Sequence, residues 1–298
     1  MTKKVIFWIL TVVITLFTAY YQRTTGPTYP KRFKVMIDST EYKYSLPRSQ
    51  NGYSDCKVKI ALADPLITGK IIYRRFPTSD SWDTLSFNRE AETLIAWLPK
   101  QKAAGKLEYK VELYRDGKFL EIANNEVIKI RFKDNVPAIV LIPHILFIFA
   151  AMLLSTLSAF FALGKIPSYR FYTGLTLLMF LLGGMIFGPI VQKFAFNEYW
   201  TGFPYGKDLT DNKALIGFLA WVIAWLGNLK KERKYLVILA ALVVLVISYI
   251  PHSARGSELN YDSGTIKTGM IYLSSILVCY KIIKPEFGLG SNTKEEES

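Results

Sequence analysis

Six stretches of this chain contain no Asp, Glu, Lys or Arg: residues 5–21, 136–163, 171–191, 214–226, 235–250 and 270–280. A water-soluble domain has no means of keeping so many long uncharged windows away from solvent, whereas a bilayer demands them of every helix that crosses it. The mean hydropathy of +0.20 and the 51% hydrophobic content agree, and they exclude a disordered chain. The sequence therefore reads as a membrane protein.

Residues 1–21 form an N-terminal transmembrane anchor, with Lys3 and Lys4 ahead of the first apolar run. A cleaved signal peptide is the competing reading, but its core is usually shorter and ends in an A-x-A-like site. Here bulky residues, Phe17, Tyr20 and Tyr21, surround the only alanine, Ala19. Five further spans are expected at 137–163, 171–191, 214–228, 235–251 and 269–283, followed by a cytoplasmic tail over 285–298. The second measures ~40 Å as a helix against a ~30 Å hydrocarbon core, so it tilts or stands proud by ~10 Å. The sixth has the shortest uncharged run, residues 270–280.

Loop charge fixes the orientation. With the N-terminus inside, the inner short segments carry 11 Lys/Arg (Lys3, Lys4, Lys165, Arg170, Lys230, Lys231, Arg233, Lys234, Lys281, Lys284, Lys294). The outer short loops carry 5: Lys193, Lys207, Lys213, Arg255 and Lys267. Basic residues concentrate on the cytoplasmic side, so both termini are expected there.

Residues 22–136 are of a different kind. Period-2 alternation runs through Phe33, Val35 and Ile37, through Cys56, Val58, Ile60 and Leu62, and through Leu107, Tyr109, Val111 and Leu113. Asp116-Gly117 between two such runs signals a hairpin turn. Seven or eight short strands with no useful helical period predict an extracytoplasmic β-sandwich between helices 1 and 2. At the level of fold alone this resembles immunoglobulin-like or fibronectin-type modules, without their Cys…Trp…Cys pattern. The fold class is thus an α-helical bundle of about six transmembrane helices carrying an inserted β-sandwich.

The net charge of +13 divides into +7 on residues 22–136 (21 basic, 14 acidic) and +6 on the rest. Nucleic acid is not implied, since much of the basic excess sits at helix ends. A basic ectodomain faces lipid headgroups or an acidic partner. Arg74-Arg75 and the lysines of 100–106 form a candidate basic patch, with an ordinary solvated exterior as the alternative. Cys56 and Cys279 supply neither a disulfide framework nor a C-x-x-C motif. The 22–136 segment contains no histidine, which removes Ser-His-Asp and Cys-His chemistry from it.

Within the long apolar runs the only ionisable residue is His144, after Pro143. That argues against a charge-driven transporter or proton relay. Gly184 and Gly188, with Gly183 beside them, and the stripe Ala151, Ser155, Ala159 are candidate helix-packing faces. Two outer segments are dense in polar and turn residues. One, 197–213, opens Asn197-Glu198-Tyr199-Trp200-Thr201-Gly202-Phe203-Pro204; the other, 250–262, opens Ile250-Pro251-His252-Ser253-Ala254-Arg255-Gly256-Ser257-Glu258. With Ile142-Pro143-His144 they resemble blocks of bacterial multi-pass inner-membrane proteins of uncharacterised activity, over about 136–265. The resemblance implies the bacterial cytoplasmic membrane, with the β domain periplasmic, and no activity.

If the excess length of the second span lies outside, His144 reaches the outer interface near the end of the fifth span. His144, His252, Asp208, Asp211 and Glu258 then form a candidate outer-leaflet cluster able to hold a metal or, through the two imidazoles, haem. The structural alternative is that Asp208, Thr210 or Asp211 caps the fourth span and His144 bonds a carbonyl freed by Pro143. No cofactor is required on the second reading. Three functions follow. The first is a non-catalytic membrane subunit or scaffold presenting the β domain to membrane or periplasmic partners. The others are a redox or metal enzyme using the cluster, and a neutral-solute carrier or channel.

Overall fold

The computed structural model describes residues 2–37, 40–120, 126–251 and 256–267. The expected span at 269–283, the tail, Cys279 and His252 lie outside them. Among the described residues, helix α1 (Lys3–Thr25) comes first, followed by eleven strands, a helical bundle and a short antiparallel pair, Glu258–Leu259 with Ile266–Lys267.

The strands are β1 (Lys31–Ile37), β2 (Thr40–Leu46), β3 (Ser49–Asn51), β4 (Cys56–Ala61), β5 (Ile67–Phe76), β6 (Asp83–Ser86), β7 (Asn88–Glu90), β8 (Thr93–Leu98), β9 (Lys106–Arg115), β10 (Lys118–Leu120) and β11 (Ile128–Lys133). One sheet runs β3-β11-β9-β5-β6 with β10 on β9; a second runs β4-β8-β7; β1 and β2 form a ribbon. Pairing is antiparallel except for β3 on β11. The alternation read from the sequence is real: Val58, Ile60, Ile71, Leu107, Tyr109, Ile130 and Phe132 meet in one core shared by these sheets. The hydroxyl of buried Tyr109 donates to the Pro47 carbonyl at 2.8 Å, so its burial leaves no unmet donor. The turn between β9 and β10 places Asp116 and Gly117 at φ 50° and 76°, as an Asp-Gly hairpin requires. In the basic patch Arg74 pairs with Glu108, Arg75 with Asp80 and Lys106 with Glu258.

The bundle contains α2 (Ala138–Leu163), α3 (Tyr169–Phe180), a π-helical stretch (Leu181–Phe187), α4 (Gly188–Phe196), α5 (Leu209–Gly227) and α6 (Lys234–Tyr249). Among the described residues, four helices are long and apolar enough to cross a membrane: Lys3–Thr25, Ala138–Leu163, the continuous Tyr169–Phe196, and Leu209–Gly227. Helix α6, with 16 residues, is shorter. Polarity is arranged for a lipid exterior. Val13, Leu16, Phe17, Leu146, Phe171, Ile223 and Val246 are exposed, while the buried face of α1 is Thr11, Thr15 and Thr18. Small hydroxylated residues facing inward and bulky apolar ones facing outward are the signature of helices packed in a membrane.

Two expectations need correction. Span four was expected to begin at 214, because Asp211 and Lys213 interrupt the apolar run; the helix begins at Leu209 and buries both charges in its first turns. The spans are therefore not free of ionisable groups beyond His144. Among the glycines, the tight approach is at Gly183 rather than at Gly184 or Gly188. A Cβ on Gly183 would stand 2.9 Å from the Ile148 backbone nitrogen and 2.9 Å from Phe147 Cβ. On Gly184 it would stand 3.6 Å from Ala214 Cβ, an ordinary contact, and on Gly188 the nearest atom is the Gly183 carbonyl oxygen at 3.3 Å. The π stretch turns the helix so that Gly183 meets α2. Ala151 and Ser155 are buried on α2, and Ala159 packs against the same core.

Candidate functional site

The site grows from the start of α5. Asp208 is its N-cap, with Oδ1 accepting the Thr210 N–H at 2.7 Å. Its other oxygen, Oδ2, accepts the Ser257 N–H at 2.9 Å and the Ser257 hydroxyl at 3.0 Å, with the Thr201 hydroxyl at 3.2 Å. Asp211 Oδ2 accepts the Thr201 N–H at 2.6 Å and lies 3.2 Å from the same hydroxyl. Gln192 of α4 donates to the Thr201 hydroxyl, which also touches Ser257 Oγ at 2.9 Å. Thr201 thus joins two carboxylates, an amide and a serine, all buried. Gly202 follows it of necessity, since a Cβ there would stand 2.6 Å from Asp211 Cβ.

These contacts bring together the two polar segments that the sequence singled out, 197–213 and 250–262. The β region closes over them. Arg131 of β11 donates from Nη2 to the Ser257 carbonyl at 2.7 Å, and its guanidinium lies 4.2 Å from the Phe196 ring. Burial holds its pKa below the ordinary arginine value, against the pull of Asp208 and Glu258. Lys106 pairs with Glu258; burial lowers its pKa, which Glu258 opposes. The Tyr261 hydroxyl donates to the Lys106 carbonyl at 2.8 Å and accepts its N–H at 3.0 Å. Two backbone bonds complete the junction, Leu259 N–H to the Ala104 carbonyl at 3.2 Å and Asp134 N–H to the Ala195 carbonyl at 3.0 Å.

Beneath this junction, between the helices, is a cavity of about 180 Å³. Arg131, Gln192, Asp208, Asp211, Lys213 and His144 contribute its polar lining, and Ile148, Met152, Phe180, Val244 and Ile247 its apolar walls. Lys213 Nζ donates to the Ile250 carbonyl at 2.6 Å. His144 Nδ1 lies 2.9 Å from the Gly183 carbonyl. A carbonyl only accepts, so Nδ1 carries the proton and, in the neutral ring, Nε2 is left as the lone-pair nitrogen. The carbonyl that His144 finds is in the π stretch of the neighbouring helix, and not the one freed by Pro143.

Of the five residues proposed from sequence as one cluster, Asp208 and Asp211 share Thr201, and His144 lines the same cavity. Glu258 is turned to Lys106, and His252 lies outside the described residues. Sequence reasoning missed Arg131, Gln192, Thr201, Ser257 and Lys213. The only signal for them was the density of polar residues around Thr201 and Ser257. Chemically the cluster is a set of hydroxyl and N–H donors spent on two carboxylates, and its described hydroxyls bond to carboxylates, each other or Gln192 rather than to a histidine. No family model matches the chain, and no curated protein matches it in sequence.

Proposed function

We propose that this chain is a non-catalytic, multi-pass protein of the bacterial cytoplasmic membrane. Its bundle holds a periplasmic β-sandwich in place for another membrane or periplasmic protein to bind. The observation that carries the reading is the junction. Arg131, Lys106, Ala104 and Asp134 of the β region are all bonded to the bundle side, so the β region is braced and not tethered. A rigid mount suits presentation, because a partner's binding energy is not spent on ordering the platform. The sandwich reading is supported by the core that the separate sheets share.

Orientation rests on the basic asymmetry, 11 Lys/Arg in the inner short segments against 5 in the outer short loops. Exposed Tyr53 and Trp97, each with a lysine over its ring at 4.4 Å and 4.9 Å, are the platform residues best placed for contact. Both parts are testable in cells. A membrane-impermeant maleimide should label Tyr53→Cys in intact spheroplasts, and a C-terminal reporter should be active only in the cytoplasm. A photocrosslinking residue at 53 or 97 should give adducts of one discrete mass, whereas the same residue at lipid-facing Leu16 should not. Cytoplasmic labelling of the β region, or the absence of a discrete adduct from either site, would sink the proposal.

A further inference from the structure

The cavity has one chemical imbalance. Arg131 is only 7% exposed, yet its Nε–H has no hydrogen-bond acceptor among the described residues. A buried donor without an acceptor is costly, the more so when it is charged, and such a group calls for a water, an ion or a ligand. The neighbouring carboxylates do not answer it. Both oxygens of Asp208 are taken by donors from Thr210, Ser257 and Thr201, and Asp211 Oδ2 faces the Thr201 N–H and hydroxyl. Although two acidic and two basic side chains line the cavity, the acids are turned to internal donors. The remaining demand at the polar end is for an acceptor.

The rest of the cavity is hydrocarbon. Ile148, Met152, Phe180, Val244 and Ile247 lead away from the polar end between the helices. At about 180 Å³ the space slightly exceeds an apolar cavity of ~150 Å³ that takes up benzene. It is large enough for an anionic head and the first few carbons of a chain, the remainder continuing into the surrounding hydrocarbon.

We propose that the cavity binds an anionic single-chain amphiphile, its head oxygens accepting from Arg131 and its chain lying along the Met152 and Val244 wall. A carboxylate and a phosphate head share this chemistry; one would come from a free fatty acid, the other from a single-chain lysophospholipid. The inference needs the helices to lie in a membrane but not the β region to have a partner, so it and the reading above fail separately.

The test uses the full chain in a neutral maltoside, titrated with dodecanoate, dodecyl phosphate, dodecanol and dodecyltrimethylammonium, with native mass spectrometry and the thermal midpoint as readouts. Equal chain lengths hold the hydrocarbon contribution to micelle partition constant, and each midpoint is referred to the probe's own measured partition into protein-free micelles. At least one anion should saturate at a concentration tenfold or more below the alcohol and the ammonium; carboxylate preference points to a fatty acid, phosphate preference to a lipid headgroup. Arg131→Gln should abolish that tenfold preference. Since this change also removes the bond to Ser257, Met152→Trp, which fills the apolar wall and leaves Arg131 intact, should weaken anion binding at least tenfold by itself. Equal binding of all four probes, or wild-type anion affinity in a folded Met152→Trp protein, would overturn the assignment.

Discussion

Adjacent glycines in the π stretch give a sharp test of how the bundle is packed, because sequence and structure name different ones. Alanine at Gly183 would place Cβ 2.9 Å from the Ile148 nitrogen, 2.9 Å from Phe147 Cβ and 3.0 Å from Ile148 Cγ1. Non-bonded heavy atoms prefer about 3.5–4.0 Å. Two of the three neighbours belong to the α2 backbone or sit directly on it, so no side-chain rotation relieves the clash. The helices must separate, and the His144 bond to the Gly183 carbonyl, 2.9 Å, moves with them. Alanine at Gly184 meets only Ala214 Cβ at 3.6 Å and Ile148 Cδ1 at 3.9 Å. Both variants gain similar helix propensity and lose similar unfolded-chain entropy, so those terms cancel in the difference. What remains is overpacking, about 1–3 kcal/mol. At roughly 2–4 °C per kcal/mol for a domain of this size, the Gly183→Ala midpoint should fall several degrees below that of Gly184→Ala. Differential scanning of the full chain in mild detergent at one scan rate reads this directly. Equal midpoints, or Gly184→Ala as the less stable, would refute the packing described and restore the Gly184/Gly188 face.

Gly256→Ala should loosen the junction, since its Cβ would lie 2.5 Å from Arg131 Nη1; losing the charged bond to the Ser257 carbonyl costs about 1.5–3 kcal/mol, and faster amide exchange in β11 than in β4 would report it. Gly117→Val should destabilise the β region by about 1 kcal/mol or more through φ alone, because no atom lies within 4 Å of the added Cβ; an unchanged melting curve would contradict the turn. Asp208→Ala should cost about 2–3 kcal/mol, a lost cap plus stranded donors at Ser257, with Asp208→Asn recovering part of it in chemical denaturation. Burial pushes the Cys56 thiol from 9.0 up to about 11, so its contribution to stability is intact below pH 9 and is lost as pH rises towards 11; in a Cys279→Ser background, Cys56→Ala should show the shallower decline in melting temperature across that window.

The apolar runs located the helices to within a few residues where no charge intervened: 137–163 was expected, and Ala138–Leu163 is found. They failed at α5, because a run ends at its first charge whereas a helix ends where its backbone bonds do. Asp211 and Lys213 are tolerated inside it only because Thr201 and the Ile250 carbonyl, distant in sequence, receive them. Alternation found β1, β4 and β9, but not β3, a three-residue stretch, Ser49–Asn51, paired in parallel with β11 and having no apolar face to betray it. The choice between Gly183 and Gly184 was illegible for a related reason: one π stretch rotates a helix face, and nothing in the local composition announces it.

Arg131 shows what kind of information the candidate site required. Period 2 sorts β11 correctly, with Ile128, Ile130 and Phe132 on the core side and Lys129, Arg131 and Lys133 on the other. On an isolated domain the second side would be solvent, and three basic residues there would mean solubility and nothing more. Here that side lies over the bundle. Arg131 is buried against Ser257 and Phe196, and burial, with Arg131 and Arg23 nearby, also lowers the pKa of Lys133, while Lys129 remains exposed. A strand face is polar for water or polar for a partner, and alternation alone does not distinguish the two. The distinguishing residue is on the other side of the contact. A side chain at Gly256 would stand 2.5 Å from the guanidinium and displace it from the Ser257 carbonyl, so the glycine marks which side of the strand meets a partner.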